Sequence, residues 1–309
     1  MSTGKRVSAH GLRKSFGDFT AVDSIDFEVW AGEVFGFLGP NGAGKSSTMR
    51  MVGATSERTG GELSVLGLDP SHDGAKIRSR LGVVPQEDNL DLELSVSDNL
   101  FVYGRYFGIP RRELRARIVD LLHFARLSER ATEKVDNLSG GMKRRLTIAR
   151  GLVNEPELIL LDEPTTGLDP QARHLLWDRL YSLKQSGVTL VLTTHYMDEA
   201  EQLCDRLVVM DKGHIIAAGS PRELVDRYAT KEVVELRFPA GEARRALEDV
   251  DGLAKRVEAL ADRVFLYTDD GDETAEEVAH SGLRPTSTLV RRASLEDVFM
   301  TLTGRQLDD

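Results

Sequence analysis

The sequence predicts an α/β fold. A mostly parallel sheet surrounds a phosphate-binding loop, joined by an antiparallel β subdomain, a helical subdomain and a small C-terminal α+β domain. Three observations predict it. Gly39-Pro40-Asn41-Gly42-Ala43-Gly44-Lys45-Ser46 fits G-x-x-x-x-G-K-[ST], a loop whose backbone N–H groups wrap a nucleotide's phosphates. Apolar runs at 34–38, 158–161, 188–192 and 206–210 are separated by helical stretches, the alternation of a parallel sheet with crossover helices. A shift in composition near Tyr228 opens a last segment of about 80 residues with its own short strand and helix patterns.

Taken in order, residues 7–12 and 25–30 alternate like an antiparallel strand pair, with a turn at Ser15-Phe16-Gly17-Asp18. The run 34–38 is a buried strand entering the phosphate loop. Ser47 to Val52 can start a helix, whose N-terminal dipole and free N–H groups favour anions. Asn41, Gly42, Ala43, Gly44, Lys45, Ser46 and Ser47 are therefore nucleotide-binding candidates. Lys45 would reach the β- and γ-phosphates, and Ser46 would ligate Mg²⁺. A polar segment, 56–61, precedes a strand at 62–65. From about Ser95 to Leu127 apolar residues recur at helical spacing, so 95–150 reads as a helical insertion. The last segment reads as strands at 233–238, 264–268 and 288–292 and helices at 242–250, 273–281 and 295–303. The expected domains are 1–227 and 228–309.

Composition narrows the class. The net charge of −10 argues against a nucleic-acid partner, which a basic face would serve. Cys204 is the single cysteine, so no internal disulfide can form and a reducing, cytosolic location is expected. It lies in an amphipathic helical stretch and reads as core packing. No run of 18 apolar residues exists, and no apolar stretch follows the charged first residues. Neither a membrane span nor a secretory signal is expected, and any membrane role would come through a partner.

A second motif is Leu158-Ile159-Leu160-Leu161-Asp162-Glu163, a hydrophobic strand that ends in two carboxylates. In a parallel sheet that end lies beside the phosphate loop. Asp162 can hold Mg²⁺ and Glu163 can polarise an attacking water. The plainer alternative is a solvated acidic turn. Ser139-Gly140-Gly141 opens a helix from Met142 to Val153 and makes another phosphate-facing N-terminus. Either it serves a nucleotide held by another subunit, or it is a Gly-rich turn with a Ser N-cap.

Together these residues resemble the nucleotide-binding subunit of ABC transporters, over residues 1 to about 227. Leu138-Ser139-Gly140-Gly141-Met142 looks like the family's signature loop, and 158–163 like its Walker B strand on a P-loop NTPase core. The resemblance assigns Phe16 to stacking on adenine, Gln86 to sensing Mg²⁺ and the transport partner, and Gly167-Leu168-Asp169 to the D-loop. It assigns His195 to the γ-phosphate contact. Two residues depart from the common pattern: Met142 stands where many members have Gln, and Phe16 where many have Tyr. Neither change removes a phosphate contact.

The resemblance implies ATP and Mg²⁺ as ligands, with Glu163, His195 and Gln86 as catalytic residues. Ser46, Gln86 and Asp162 would be the metal's neighbours. It also implies a head-to-tail dimer in which Lys45 and Ser46 of one copy face Ser139 and Gly141 of the other. The partner would be an integral membrane ABC-2-type permease of six helices, in two copies, at the cytoplasmic face of the membrane. Within the family the chain is most similar to daunorubicin-resistance-type multidrug and antibiotic exporters and to nodulation-type lipooligosaccharide exporters. Residues 84–90, 141–146, 165–170 and 294–299 carry that likeness. Phe101, Tyr103, Tyr106 and Phe107 either form a groove for the permease or pack a core. The C-terminal domain is expected to make dimer contacts. A translation or DNA-repair ATPase is the alternative. Against it, only one set of motifs is present, and the roughly 90 residues between phosphate loop and signature carry no sustained heptads.

Overall fold

The computed structural model describes residues 4–239, 241–243, 246–250 and 252–304. The chain divides into two compact units, Met1–Ala218 and Gly219–Asp309.

The first unit opens on a long hairpin, β1 (Lys5–Phe16) and β2 (Phe19–Trp30), both longer than their alternating apolar cores. The turn needs a left-handed residue, and Gly17 supplies it at φ 58°. β3 (Val34–Leu38) is buried at every position, as a central parallel strand must be, and feeds α1 (Lys45–Val52) through the phosphate loop. β4 (Gly60–Val65) returns to pair with β1, giving an antiparallel sheet of order β2-β1-β4. Next come α2 (Pro70–Ser79) and β5 (Leu81–Val84), which the apolar patterning did not announce. α2 is polar apart from buried Ile77. Its start is set by the Asp69 carboxylate, which accepts from Ser71 N–H, and by Pro70 at the first helical position.

α3 (Val96–Tyr106), α4 (Arg111–Ala125) and α5 (Gly140–Gly151) pack around Leu100, Leu114, Leu122 and Leu146, forming the helical insertion. Then follow β6 (Leu158–Asp162), α6 (Pro170–Gln185), β7 (Thr189–Thr194), α7 (Met197–Leu203), β8 (Arg206–Asp211) and β9 (His214–Gly219). Cys204 is buried just beyond α7, as core packing requires. The main sheet has the order β5-β6-β7-β3-β8-β9, and β5, β6, β7, β3 and β8 pair in parallel. The carboxyl ends of β6, β7 and β3 therefore lie side by side, the edge where open α/β sheets bind ligands.

The second unit contains α8 (Pro221–Tyr228), β10 (Glu232–Arg237), α9 (Ala246–Asp249), β11 (Arg256–Ala259), β12 (Arg263–Thr268), α10 (Gly271–His280), β13 (Ser287–Arg292) and α11 (Leu295–Thr303). From β10 to β13 the order is β-α-β-β-α-β, in an antiparallel sheet ordered β11-β12-β10-β13, the split βαβ arrangement. β11 is only half-buried along its length, so its apolar pattern is weak. Of the helix expected at 242–250, α9 covers 246–249, and positions 244 and 245 lie outside the described residues. α8 packs on α11 and belongs with this unit.

Candidate nucleotide site

The phosphate loop is shaped by glycines that nothing else could replace. A Cβ on Gly39 would meet Met210 O at 2.3 Å, and one on Gly44, at φ 102°, would meet Ala21 O at 2.5 Å. Lys45 opens α1 with its side chain buried. Its Nζ donates to Gly39 O at 2.6 Å and Pro40 O at 2.9 Å, curling the loop around the ammonium. Burial pushes the Lys45 pKa down, and the nearby Glu163 and Asp162 carboxylates oppose that.

The two acidic residues at the end of β6 diverge, because Asp162 closes the strand and Glu163 leaves it in a left-handed turn. Asp162 Oδ1 accepts from Thr193 Oγ1 at 2.5 Å and from Ser46 Oγ at 3.2 Å. A hydroxyl and a carboxylate thus meet where the loop enters α1, a hard-oxygen pair suited to Mg²⁺, which takes few protein ligands and completes its shell with phosphates and water. Among the described residues no group of three or more His, Cys, Asp or Glu side chains forms a metal cluster, so no all-protein cage competes with that pair.

Glu163 turns the other way and is buried. Its backbone is left-handed, φ 45°, an unfavourable conformation for a non-glycine residue. Its N–H donates to Thr193 Oγ1 and Thr193 O, at 3.0 and 3.1 Å. The carboxylate accepts from Gln86 Nε2 at 3.2 Å and Thr166 Oγ1 at 3.1 Å, and Oε1 lies 3.9 Å from Lys45 Nζ. His195, just after β7, places Nδ1 3.3 Å from the same oxygen, near enough for an ion pair though misaligned for a hydrogen bond. Against the penalty of burial, His195, then Lys45 and Thr166, hold the Glu163 pKa below the usual carboxylate value. Lys45, Ser46, Gln86, Asp162, Glu163 and His195 are therefore in one place, from four separate segments.

The cleft over the loop, about 200 Å³, is lined by Phe19, Asn41 to Ser47, Gln86 and Glu163. Phe19, 64% exposed, escaped the sequence reading, although it mirrors Phe16 across the hairpin turn. Phe16 is 53% exposed, and Lys14 Nζ stands 4.8 Å over its ring.

Other expected residues lie elsewhere. Ser139 caps α5, its Oγ accepting from Met142 N–H at 3.4 Å, so the helix starts at Gly140, two residues earlier than the sequence suggested. No hydrogen bond joins Ser139, Gly140 or Gly141 to the phosphate loop among the described residues, and Ser139 and Gly140 are exposed. Asp169 is exposed and caps α6 by accepting from Ala172 N–H at 2.9 Å. Tyr103 packs edge-on to Phe107 beneath the Arg150 guanidinium, whereas Tyr106 faces solvent. The aromatic group is thus part core and part surface.

A glycine-shaped phosphate loop on a parallel sheet, with a buried Lys and two carboxylates at the strand ends, defines a nucleoside-triphosphate hydrolase of the ATP-binding cassette kind. Residues 22–166 match the ABC transporter family model, and residues 242–304 match the model for the C-terminal domain of the nodulation factor export protein NodI. The chain is 48% identical to the Nod factor export ATP-binding protein I of Rhizobium meliloti (strain 1021), over 98% of this chain and 89% of that protein. It is likewise 48% identical to that of Ralstonia nicotianae (strain ATCC BAA-1114 / GMI1000), over 98% and 95%. Among solved structures, cbiO1 from Clostridium perfringens, part of the transporter complex cbiONQ, matches with a TM-score of 0.67 and 29% identity, over 72% of this chain and 91% of that one. The dimeric post-hydrolysis state of the cassette MJ0796, bound to ADP and Pi, matches with a TM-score of 0.64 and 27% identity, over 69% and 98%. The chain belongs to the ABC transporter ATP-binding family and is an ATPase.

Proposed function

We propose that this chain powers export of a lipid-like or lipooligosaccharide compound, as a head-to-tail dimer on a separate ABC-2-type permease at the cytoplasmic face of the membrane. The observation that carries the chemistry is the buried Glu163 carboxylate, fixed within 3.9 Å of Lys45 and beside Gln86 and His195. Lys45 exchanges its loop carbonyls for the β- and γ-phosphates. Phe16 stacks on adenine. Ionised Glu163 orients and polarises the attacking water, and His195 contacts the γ-phosphate. Ser46, Asp162 and Gln86 would hold Mg²⁺, which when bound would neutralise charge developing on the phosphates.

Ser139 and Gly140 are exposed at the N-terminus of α5, which supports delivery of Ser139 to Gly141 to a second copy's γ-phosphate, with Asp169 at the same junction. The cassette MJ0796 has been solved as a dimer, which supports the arrangement. Closure needs the γ-phosphate, hydrolysis removes it, and the permease converts closing and opening into alternating access. No described helix is long and apolar enough to cross a membrane, so the membrane step is assigned to the partner. The relatives at 48% identity are named for Nod factor export, which favours a lipooligosaccharide cargo over the drugs and antibiotics of the daunorubicin-type resemblance.

Glu163→Gln is the direct test. It should bind ATP and accumulate as a closed dimer while turnover falls by about three orders of magnitude or more. Near-normal hydrolysis would reject the base assignment. Purification without a co-eluting six-helix membrane protein, when the neighbouring reading frames are co-expressed, would reject the exporter reading.

A further inference from the structure

We infer that Arg144 is a positioning residue that makes Glu163, Gln86 and the helix bearing Ser139 to Gly141 move as one body; this rests on the two-copy reading above. Arg144 is 3% exposed in the middle of the site. Nε donates to Pro164 O at 2.7 Å, Nη1 to Pro85 O at 2.5 Å and Gln86 O at 3.2 Å, and Nη2 to Asp162 O at 3.1 Å and Glu163 O at 3.2 Å. Asp88 Oδ1 lies 3.5 Å away and supplies the counter-charge.

The acceptors fall on both sides of Gln86 and on both sides of Glu163. They are backbone carbonyls, so the guanidinium fixes the path of two chain segments rather than the identity of their side chains. Glu163 needs such a hold, because its left-handed backbone is strained. Thr193 grips its N–H from β7, and Arg144 grips the carbonyls around it from α5. A planar fork with five donors can reach all five carbonyls at once, and a lysine ammonium, with three donors on one nitrogen, cannot.

Arg144 stands five residues beyond the α5 cap at Ser139, about one and a half rigid turns. Thr147 and Arg150, at successive spacings of three on the same face, extend the seam. Thr147 Oγ1 donates to Asp88 Oδ1 at 3.1 Å, and Arg150 Nη1 donates to Asn89 O at 2.6 Å. When Ser139 to Gly141 seat on the partner copy's nucleotide, the shift travels through that turn to the carboxylate and glutamine of the same chain. Each copy's hydrolysis is thereby linked to its grip on the other's nucleotide.

The test compares Arg144→Lys and Arg144→Ala with wild type by steady-state ATP turnover, ATP affinity and melting temperature. In either variant kcat should fall about 10- to 100-fold and the Hill coefficient should drop toward one, with ATP affinity changed less than about threefold. Guanidinium ion at a few millimolar should restore part of kcat to Arg144→Ala, and none to Arg144→Lys or Glu163→Gln. If Arg144→Ala does not fold, the Lys variant carries the same reading of kcat and cooperativity. Unchanged kcat, or kcat and affinity lost in parallel with no guanidinium rescue, would overturn the inference and leave the two-copy reading standing. Non-cooperative turnover by wild type would overturn both.

Discussion

Lys45 Nζ and Glu163 Oε1 stand 3.9 Å apart with both side chains buried, so one cation and one carboxylate share a pocket before any phosphate enters. Each offsets the other's loss of hydration, and two loop carbonyls take up the remaining Lys45 donors. Replacing Lys45 by Ala should weaken ATP binding by about 10- to 100-fold, the value of one charge-assisted contact. Calorimetric titration of the variant would check this, and an affinity equal to wild type would remove Lys45 from the phosphate contacts.

The same neighbourhood sets a pH dependence. The Glu163 pKa is depressed, with His195 the largest cause. A depressed acid contributes stability above its unfolded value, about 4.3, and loses it as pH falls through the lower folded value. In His195→Ala the main stabiliser of the charge is gone while burial remains, so the folded pKa rises. The gap between folded and unfolded values then closes, so His195→Ala should start from lower stability at neutral pH and lose less of it than wild type as pH falls. Urea unfolding between about pH 3 and 7 would show it, with Glu163→Gln nearly insensitive to the same change. Superimposable wild-type and His195→Ala profiles would contradict the assigned cause.

How much of this was legible in the sequence follows from how local each signal is. The phosphate loop, β6 and β7 are contiguous runs whose type and order fix their neighbours, so Lys45, Ser46, Asp162, Glu163 and His195 could be placed together without coordinates. β5 is four residues long and contains Gly82, and β11 is half-buried; such strands carry too little apolar pattern to stand out. Arg144 was hidden for another reason. Its partners are backbone carbonyls 18 to 59 residues away, and a carbonyl has no letter in the sequence. The one available cue was Arg144-x-x-Thr147-x-x-Arg150, polar side chains at regular spacing on a helix whose Leu146 and Ala149 pack a core.

Phe16 and Phe19 face each other across the hairpin turn, and both are largely exposed. The Lys14 ammonium already covers part of the Phe16 ring, and Phe19 lines the cleft over the loop. Stacking of a base on an aromatic ring is worth about 1–3 kcal/mol, so Phe16→Ala should weaken ATP binding by roughly 5- to 100-fold. Phe19→Ala should cost a smaller factor, since its ring lines the cleft beside the phosphate loop. Inorganic triphosphate is the control, because it has no base and should bind the Phe16 variant like wild type. Equal losses for ATP and triphosphate would mean that Phe16 shapes the loop rather than meeting the base.

In the second unit the decisive pair is Arg291 and Asp297. Asp297 is 1% exposed and accepts from Arg291 Nη1 at 2.7 Å and Nη2 at 2.9 Å, a bidentate contact. It also accepts from Ser294 N–H at 2.8 Å, closing the box that caps α11. Asp297→Ala would remove the cap and leave a partly buried guanidinium without its counter-charge, at a cost of about 3 kcal/mol. Asp297→Asn keeps an acceptor for the cap and should cost less. The loss belongs to the second unit: amides of 295–303 should exchange with solvent faster by about two orders of magnitude, while those of β3 and β6 keep their wild-type protection. Hydrogen exchange read segment by segment separates the outcomes. Unchanged protection of α11 in Asp297→Ala would show that its apolar face, Leu295, Val298 and Phe299, holds the helix without the ion pair.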